Sequence, residues 1–145
     1  MKPGRRIAFD YGDVRIGVAM SDLSGLLASP FGVIAAQSDF ITEIGALVTD
    51  YQPIYFAVGI PKHLSGDTSA KMESVEKFIT ALESNFPLPI IRIDERLSTV
   101  SAARSLQASG KNARQSKTLI DAAAAATILE MALAQEKFSE NGSSE

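Results

Sequence analysis

Residues 54–60, Ile-Tyr-Phe-Ala-Val-Gly-Ile, are apolar at every position. A strand that is buried on both faces has this character, as in the middle of a parallel sheet. Proline bounds the stretch at positions 53 and 61, and a helical pattern of apolar residues precedes and follows it. Because helix–strand–helix alternation requires crossover connections, we predict that this strand pairs in parallel with its neighbours.

The chain before this stretch predicts antiparallel strands. Apolar runs at Arg6–Asp10 and Arg15–Met20 flank a turn that contains glycine and aspartate, which is typical of a hairpin. A third strand is predicted at Ala28–Ala35, where Pro30 favours the beginning of a strand or an edge position. The predicted fold class is α/β: a mixed five-stranded sheet, made of a three-strand meander plus parallel strands, with helices on both faces.

The other predicted elements follow from helical periodicity, caps and prolines. They are a helix over 40–51 capped by Ser38 or Asp39, a helix that carries Met72 to Leu82, a strand over 90–93, a short helix from Ser98 or Thr99 to Gly110, and a last helix from about Ser116 to Lys137. We predict one domain over residues 1–138 and a disordered polar tail over 139–145.

The composition is that of an ordinary globular domain. Of 145 residues, 46% are hydrophobic and 21% are charged, and none is cysteine, which excludes a disulfide framework and a thiolate metal site. No uninterrupted apolar run approaches the roughly 20 residues of a membrane span, so we predict a cytoplasmic protein without a membrane partner. The net charge of -3 counts against a nucleic-acid-binding domain but does not exclude one, because the local field decides binding.

Carboxylates mark the ends of the first and last predicted strands. Asp10 closes the first strand, and Asp94 and Glu95 close the last. In a sheet covered on both faces, the loops beyond the carboxyl ends of parallel strands form the ligand crevice, so these acids meet there if the two strands run parallel. Asp121 lies near the start of an apolar helix and precedes five consecutive alanines. A buried aspartate is costly unless it is paired or bound to a cation.

Three converging carboxylates would repel one another, and a divalent cation removes the repulsion. Hard oxygen ligands without neighbouring His or Cys favour Mg²⁺ or Mn²⁺ over Zn²⁺. One or two such ions would suit phosphoryl transfer, in which they activate the attacking water and stabilise the leaving oxygen.

Four segments resemble the motifs of the YqgF (RuvX) family, and together they extend over roughly residues 6 to 134. They are Phe9-Asp10-Tyr11-Gly12 with Arg15-Ile16-Gly17-Val18-Ala19 and Ser21-Asp22; Gly59-Ile60-Pro61 with Leu64 and Gly66; Asp94-Glu95-Arg96-Leu97-Ser98-Thr99-Val100; and Asp121-Ala122-Ala123-Ala124-Ala125-Ala126 with Ile128-Leu129. Members of this family are described as Holliday-junction resolvases and as nucleases that mature the precursor of the small-subunit ribosomal RNA.

The resemblance implies an RNase H-like fold and metal-dependent hydrolysis of phosphodiester bonds. By family motif, Asp10, Glu95 and Asp121 would be the catalytic and metal-binding acids. Asp94 is a fourth candidate, although strand alternation points it away from Glu95. Arg96 would either hold Glu95 in place or contact the substrate.

Basic residues near these motifs could form a phosphate-binding rim, although scattered bases are more often solvated surface. They are Arg15, Lys62, Lys111, Arg114 and Lys117. Lys62 belongs to the segment Lys62-His63-Leu64-Ser65, where many family members carry Leu-Asn-Met-Asp. We interpret His63, the only histidine of the chain, as surface rather than as a general base.

We predict a hydrolase, a nuclease dependent on Mg²⁺ or Mn²⁺ that processes the pre-16S rRNA in ribosome biogenesis. One alternative is a Holliday-junction resolvase in DNA recombination and repair, which would favour a two-fold homodimer, whereas RNA trimming would suit a monomer. A second alternative is a non-catalytic nucleic-acid-binding module in ribosome assembly. The actin and sugar-kinase architecture also begins with Asp-x-Gly, but this chain is too short for its two lobes.

Overall fold

The computed structural model describes residues 2–61, 69–95 and 113–143. In chain order its elements are β1 (Arg6–Tyr11), β2 (Arg15–Ser21), β3 (Ala28–Ala35), α1 (Phe40–Tyr51), β4 (Tyr55–Ile60), α2 (Ser69–Asn85), β5 (Ile90–Asp94) and α3 (Ala113–Ser143). All five strands lie within one residue of their predicted bounds, which confirms the interpretation of the apolar runs. The predicted short helix over 98–110 lies outside the described residues.

The sheet is mixed, with the strand order β3-β2-β1-β4-β5. β1 pairs antiparallel with β2, and β2 with β3, whereas β1 and β5 both pair in parallel with β4. α1 lies between β3 and β4 in the chain, and α2 between β4 and β5, so each provides a crossover between parallel strands. The predicted meander plus parallel strands is confirmed, and Pro30 lies on the edge strand β3 as expected.

Two hydrophobic layers cover the two faces of the sheet. One layer contains Ile7 and Phe9 of β1, Ile44 of α1 and Phe78 of α2. The other layer contains Ala8 of β1 together with the apolar residues of α3. Because side chains alternate along a strand, odd-numbered residues of β1 face α1 and α2, and even-numbered residues face α3. The prediction of helices on both faces is therefore confirmed.

α1 begins and ends where local signals indicate. The carboxylate of Asp39 accepts hydrogen bonds from the backbone N–H of Thr42 at 3.2 Å and from its hydroxyl at 2.7 Å, so Asp39 rather than Ser38 is the cap. Gln52 adopts the left-handed conformation (φ 48°) and ends the helix immediately before Pro53.

α3 extends beyond its predicted bounds at both ends. It spans Ala113–Ser143, whereas the sequence predicts a helix from about Ser116 to Lys137. Residues 139–143 of the predicted tail continue the helix. The segment Lys117–Ser139 is long and apolar enough to cross a membrane by length and composition, but half of its most apolar window is buried inside the protein, as in the core helix of a soluble protein.

Candidate active site

Two of the predicted acids lie at the same edge of the sheet. Asp10 is close to the end of β1, and Glu95 directly follows β5. Since β1, β4 and β5 run parallel, their carboxyl ends meet at this edge, where a doubly covered sheet forms its ligand crevice. Asp10 is 9% exposed, and Glu95 is partly buried.

Gly59 of β4 lies between these two acids. The pairing of Phe9 with Val58 places the next residues of the two strands, Asp10 and Gly59, side by side. A Cβ atom built on Gly59 would lie 2.9 Å from Cγ and 3.0 Å from Cδ of Glu95, so the Glu95 side chain lies across the glycine. With adjacent strands about 4.8 Å apart, the missing side chain at Gly59 makes room for Glu95 above β4, one strand away from Asp10.

The space above Gly59 faces α3. Asp10 has the same parity along β1 as Ala8, which packs against α3. The Cβ atom built on Gly59 would also lie 2.5 Å from Cδ1 of Ile128, a residue of α3. Asp10, Glu95 and α3 therefore share one face of the sheet.

Gly17 brings Asp121 to this same face. Gly17 is the partner of Asp10 in the ladder between β1 and β2. A Cβ atom on Gly17 would overlap the backbone carbonyl oxygen of Asp121, so α3 crosses β2 in direct contact with the strand backbone. Asp121 thus lies above the strand next to Asp10. Its side chain is 22% exposed, so it is less buried than the apolar helix sequence suggests.

The sequence alone does not identify Gly17 and Gly59 as residues that shape the site. Both lie inside strands. A glycine inside a strand often marks a place where another backbone or side chain comes close. Gly17 is required by the helix above it, and Gly59 by Glu95 and Ile128. A glycine inside a strand indicates that another group approaches closely, but the sequence does not show which group it is.

Asp121 forms an ion pair with Arg15. Nε of Arg15 donates a hydrogen bond to Oδ2 of Asp121 at 2.8 Å, and the Arg15 side chain is 32% exposed. Arg15 is the first residue of β2, and its carbonyl oxygen accepts a hydrogen bond from the N–H of Gly12 that closes the hairpin. Arg15, which the sequence suggests as a phosphate contact, is therefore paired with a predicted metal ligand in this structure.

The donor chemistry of these acids suits a hard divalent cation, since all are carboxylates on one face. Their arrangement is not a closed ligand shell: within residues 2–61, 69–95 and 113–143, no group of three or more His, Cys, Asp or Glu side chains could hold a metal ion. The ion pair with Arg15 holds the Asp121 carboxylate on a guanidinium.

Asp94 faces the opposite side of the sheet from Glu95. It pairs with Ile60, which belongs to the layer under α1 and α2. Arg92, two residues earlier on the same strand, donates a hydrogen bond to Glu76 of α2 at 2.9 Å. Strand alternation therefore separates Asp94 from Glu95, as the sequence indicates.

The predicted phosphate contacts are described only in part. Lys117 is exposed on α3, one helical turn before Asp121. Arg114 belongs to α3, but its side chain is not among those described. Lys62 and Lys111 lie outside the described residues, and so do His63 and Arg96.

All three acids fall within a family match. The RuvX family, described as "Holliday junction resolvase", matches residues 4–135. The chain belongs to the RuvX family. RuvX relatives named "Putative pre-16S rRNA nuclease" include a Leifsonia xyli protein, 42% identical over 139 residues, with 94% of this chain and 90% of the relative covered. Another comes from Streptomyces coelicolor, 38% identical over 142 residues, with 96% and 85% covered.

Solved structures share the arrangement of this RuvX chain. T. thermophilus RuvC in complex with a Holliday junction substrate matches with a TM-score of 0.51 and 15% identity, over 91% of this chain and 94% of that one. Fowlpox virus resolvase in complex with Holliday junction DNA matches with a TM-score of 0.52 and 11% identity, over 90% and 97%. At these identities the likeness concerns the fold alone, and it confirms the predicted RNase H-like fold.

Proposed function

We propose that this RuvX protein is a Mg²⁺- or Mn²⁺-dependent endonuclease that hydrolyses phosphodiester bonds in structured nucleic acid and processes the pre-16S rRNA. The observation that carries the proposal is the position of Asp10 and Glu95 on either side of Gly59, at the carboxyl ends of parallel strands. α3 supplies Asp121 to the same face. The name "Putative pre-16S rRNA nuclease" of relatives at 42% and 38% identity supports the RNA substrate.

In the proposed site, Asp10, Glu95 and Asp121 hold one or two divalent cations. A bound cation would activate water and neutralise charge on the phosphate and the leaving oxygen. The fold positions the three carboxylates. The sheet fixes Asp10, and Glu95 lies across Gly59. The contact of α3 with Gly17 fixes the backbone of Asp121. Carboxylates on rigid elements are set before substrate binds, which lowers the entropic cost of reaching the reactive arrangement.

A cytoplasmic location follows from the proposed ribosomal RNA substrate. The absence of cysteine from the sequence is compatible with a reducing compartment. The burial of α3 against the sheet supports a soluble protein without a membrane partner.

Cleavage of two labelled substrates, a ribosomal RNA precursor and a four-way DNA junction, tests the proposal. Each is incubated with wild type and with Asp10→Asn, in Mg²⁺, in Mn²⁺ and in chelator. We expect RNA cleavage that needs the cation and falls by on the order of a thousandfold in Asp10→Asn, because a metal ligand contributes several kcal/mol to the transition state. Cleavage that persists in chelator would rule out the metal-dependent reaction, and binding without cleavage of either substrate would favour a non-catalytic assembly module.

Holliday-junction resolution is the second candidate, favoured by the family description. A resolvase cuts two symmetry-related strands and would therefore act as a two-fold homodimer with two sites, whereas RNA processing requires only a monomer. Junction cleavage in the same assay, together with a dimer in sedimentation equilibrium, would select the resolvase. RNA cleavage by a monomer would select the nuclease of rRNA processing.

Lys117→Ala is expected to weaken nucleic-acid binding and to flatten its salt dependence. Lys117 is exposed and shares a face of α3 with Asp121, so it would contact a phosphate beside the proposed site. Loss of one phosphate contact lowers the slope of log K against log salt by about 0.9 for a duplex and about 0.7 for a single strand. Fluorescence anisotropy of labelled RNA at several salt concentrations measures the slope.

The matched control for this change is Lys77→Ala. Lys77 is also an exposed helical lysine, but it lies on α2 and pairs with Glu73 at 3.5 Å. We expect its slope to equal that of wild type. An unchanged slope in Lys117→Ala would remove Lys117 from the nucleic-acid interface.

A further inference from the structure

The guanidinium of Arg15 contacts one of the carboxylates that the proposed site would use to bind its cation. Nε of Arg15 donates a hydrogen bond to Oδ2 of Asp121 at 2.8 Å. This oxygen is one of the proposed metal ligands, and the hydrogen bond uses one of its lone pairs. The position is set from both sides, because Gly17 holds the backbone of Asp121 against β2, and Arg15 begins the same strand two residues earlier.

A guanidinium and a divalent cation oppose each other at one carboxylate. The arginine neutralises part of the charge that would attract the metal, and two positive charges a few ångströms apart repel each other.

The exposure of this ion pair makes it displaceable. Its side chains are 32% and 22% exposed, and partly solvated ion pairs contribute little net free energy because water screens them. By contrast, the pair between Arg6 and Glu136 has exposures of 0% and 18% and is further tied by backbone carbonyls. The Arg15 pair therefore suits an exchangeable contact rather than a permanent structural one.

We propose that Arg15 is an internal counter-ion of Asp121 that a divalent cation has to displace in order to bind. The inference rests on the proposed function, since it requires Asp121 to be a metal ligand. Arg15 is thus a residue that sets the metal affinity of the site, and binding of the cation breaks the contact between β2 and the Asp121 side chain. Removal of the Arg15 charge raises the metal affinity, because the cation then no longer has to displace an ion pair that stabilises the metal-free protein.

Mn²⁺ titration of the full chain, followed by the paramagnetic resonance of free Mn²⁺, tests this inference without any measurement of cleavage. We expect Arg15→Gln to bind Mn²⁺ about tenfold more tightly than wild type, which is the size of effect typical when one bound group changes the affinity for another. Arg15→Lys, which retains the charge, stays closer to wild type. Arg92→Gln is the matched control, because it removes the same charge from the opposite face of the sheet and is expected to bind as wild type does.

Asp121→Asn separates the two levels of the proposal. Unchanged or weaker Mn²⁺ affinity in Arg15→Gln, with binding lost in Asp121→Asn, would overturn the counter-ion role and leave the proposed metal site standing. Equal Mn²⁺ binding, or none, in wild type and in Asp121→Asn would remove Asp121 as a ligand and overturn both. Circular dichroism checks that each variant folds, and Arg15→Met provides a second neutral variant if Arg15→Gln does not.

Discussion

Glu95→Gln is expected to slow RNA cleavage by on the order of a thousandfold, whereas Asp94→Asn, one residue earlier, retains it. A metal-held carboxylate contributes several kcal/mol to the transition state, and about 1.4 kcal/mol corresponds to a factor of ten in rate. Glu95 lies across Gly59 on the face of α3, while Asp94 pairs with Ile60 on the face of α2. The single-turnover rate at saturating Mn²⁺ measures the difference.

Glu95→Gln and Asp94→Asn can be compared directly because each replaces a carboxylate by the corresponding neutral amide. Each removes one negative charge from the same edge of the sheet, so a general electrostatic effect would move both rates alike. Only a requirement for a ligand on the α3 face distinguishes them. Similar losses in both variants, with unchanged circular dichroism, would contradict the assignment of Glu95 by strand alternation and would return Asp94 to the site.

The fold was predictable to the extent that its signals are local. The uninterrupted apolar stretch of β4 and the hairpin of β1 and β2 are readable from neighbouring residues, and crossover helices then require parallel pairing. The end of α3 was not predictable in this way. Residues 139–143 have the polar composition of a tail, yet they continue a helix whose preceding turns are held by tertiary packing, which propensity alone does not include.

The site residues at the ends of strands can be predicted from the sequence, but the contacts between residues far apart in the chain cannot. Asp10 and Glu95 follow from their positions at the ends of strands once those strands are parallel. The pair of Arg15 and Asp121 joins residues 106 positions apart and depends on where α3 crosses Gly17. No periodicity in the sequence encodes that crossing, so the sequence predicts Arg15 as a candidate phosphate contact and not as the partner of Asp121.

Glu136→Gln is expected to lower the free energy of unfolding by about 3 kcal/mol, since removal of one partner of a buried ion pair leaves an uncompensated charge. Arg6 is fully buried, and its Nη2 lies 2.6 Å from Oε2 of Glu136. The hydroxyl of Tyr55 donates to Oε1 of Glu136 at 2.9 Å. Burial, and then this hydrogen bond, raise the pKa of Tyr55, so the phenol stays a neutral donor. For a chain of this size, a thermal midpoint lower by about 10 °C is expected in calorimetry.

Glu136→Gln should lower stability without changing the rate of cleavage by the folded protein, which distinguishes it from Asp10→Asn and Glu95→Gln. Arg6 begins β1 and Glu136 lies near the far end of α3, so their network fastens the end of the sheet opposite to Asp10. Cleavage at a temperature well below the midpoint should equal that of wild type. Glu73→Gln, in an exposed pair with Lys77, provides the matched control and should not move the midpoint. A fall of the midpoint no larger than that control would mean that backbone carbonyls of Lys2 and Gly4 suffice to hold the Arg6 guanidinium.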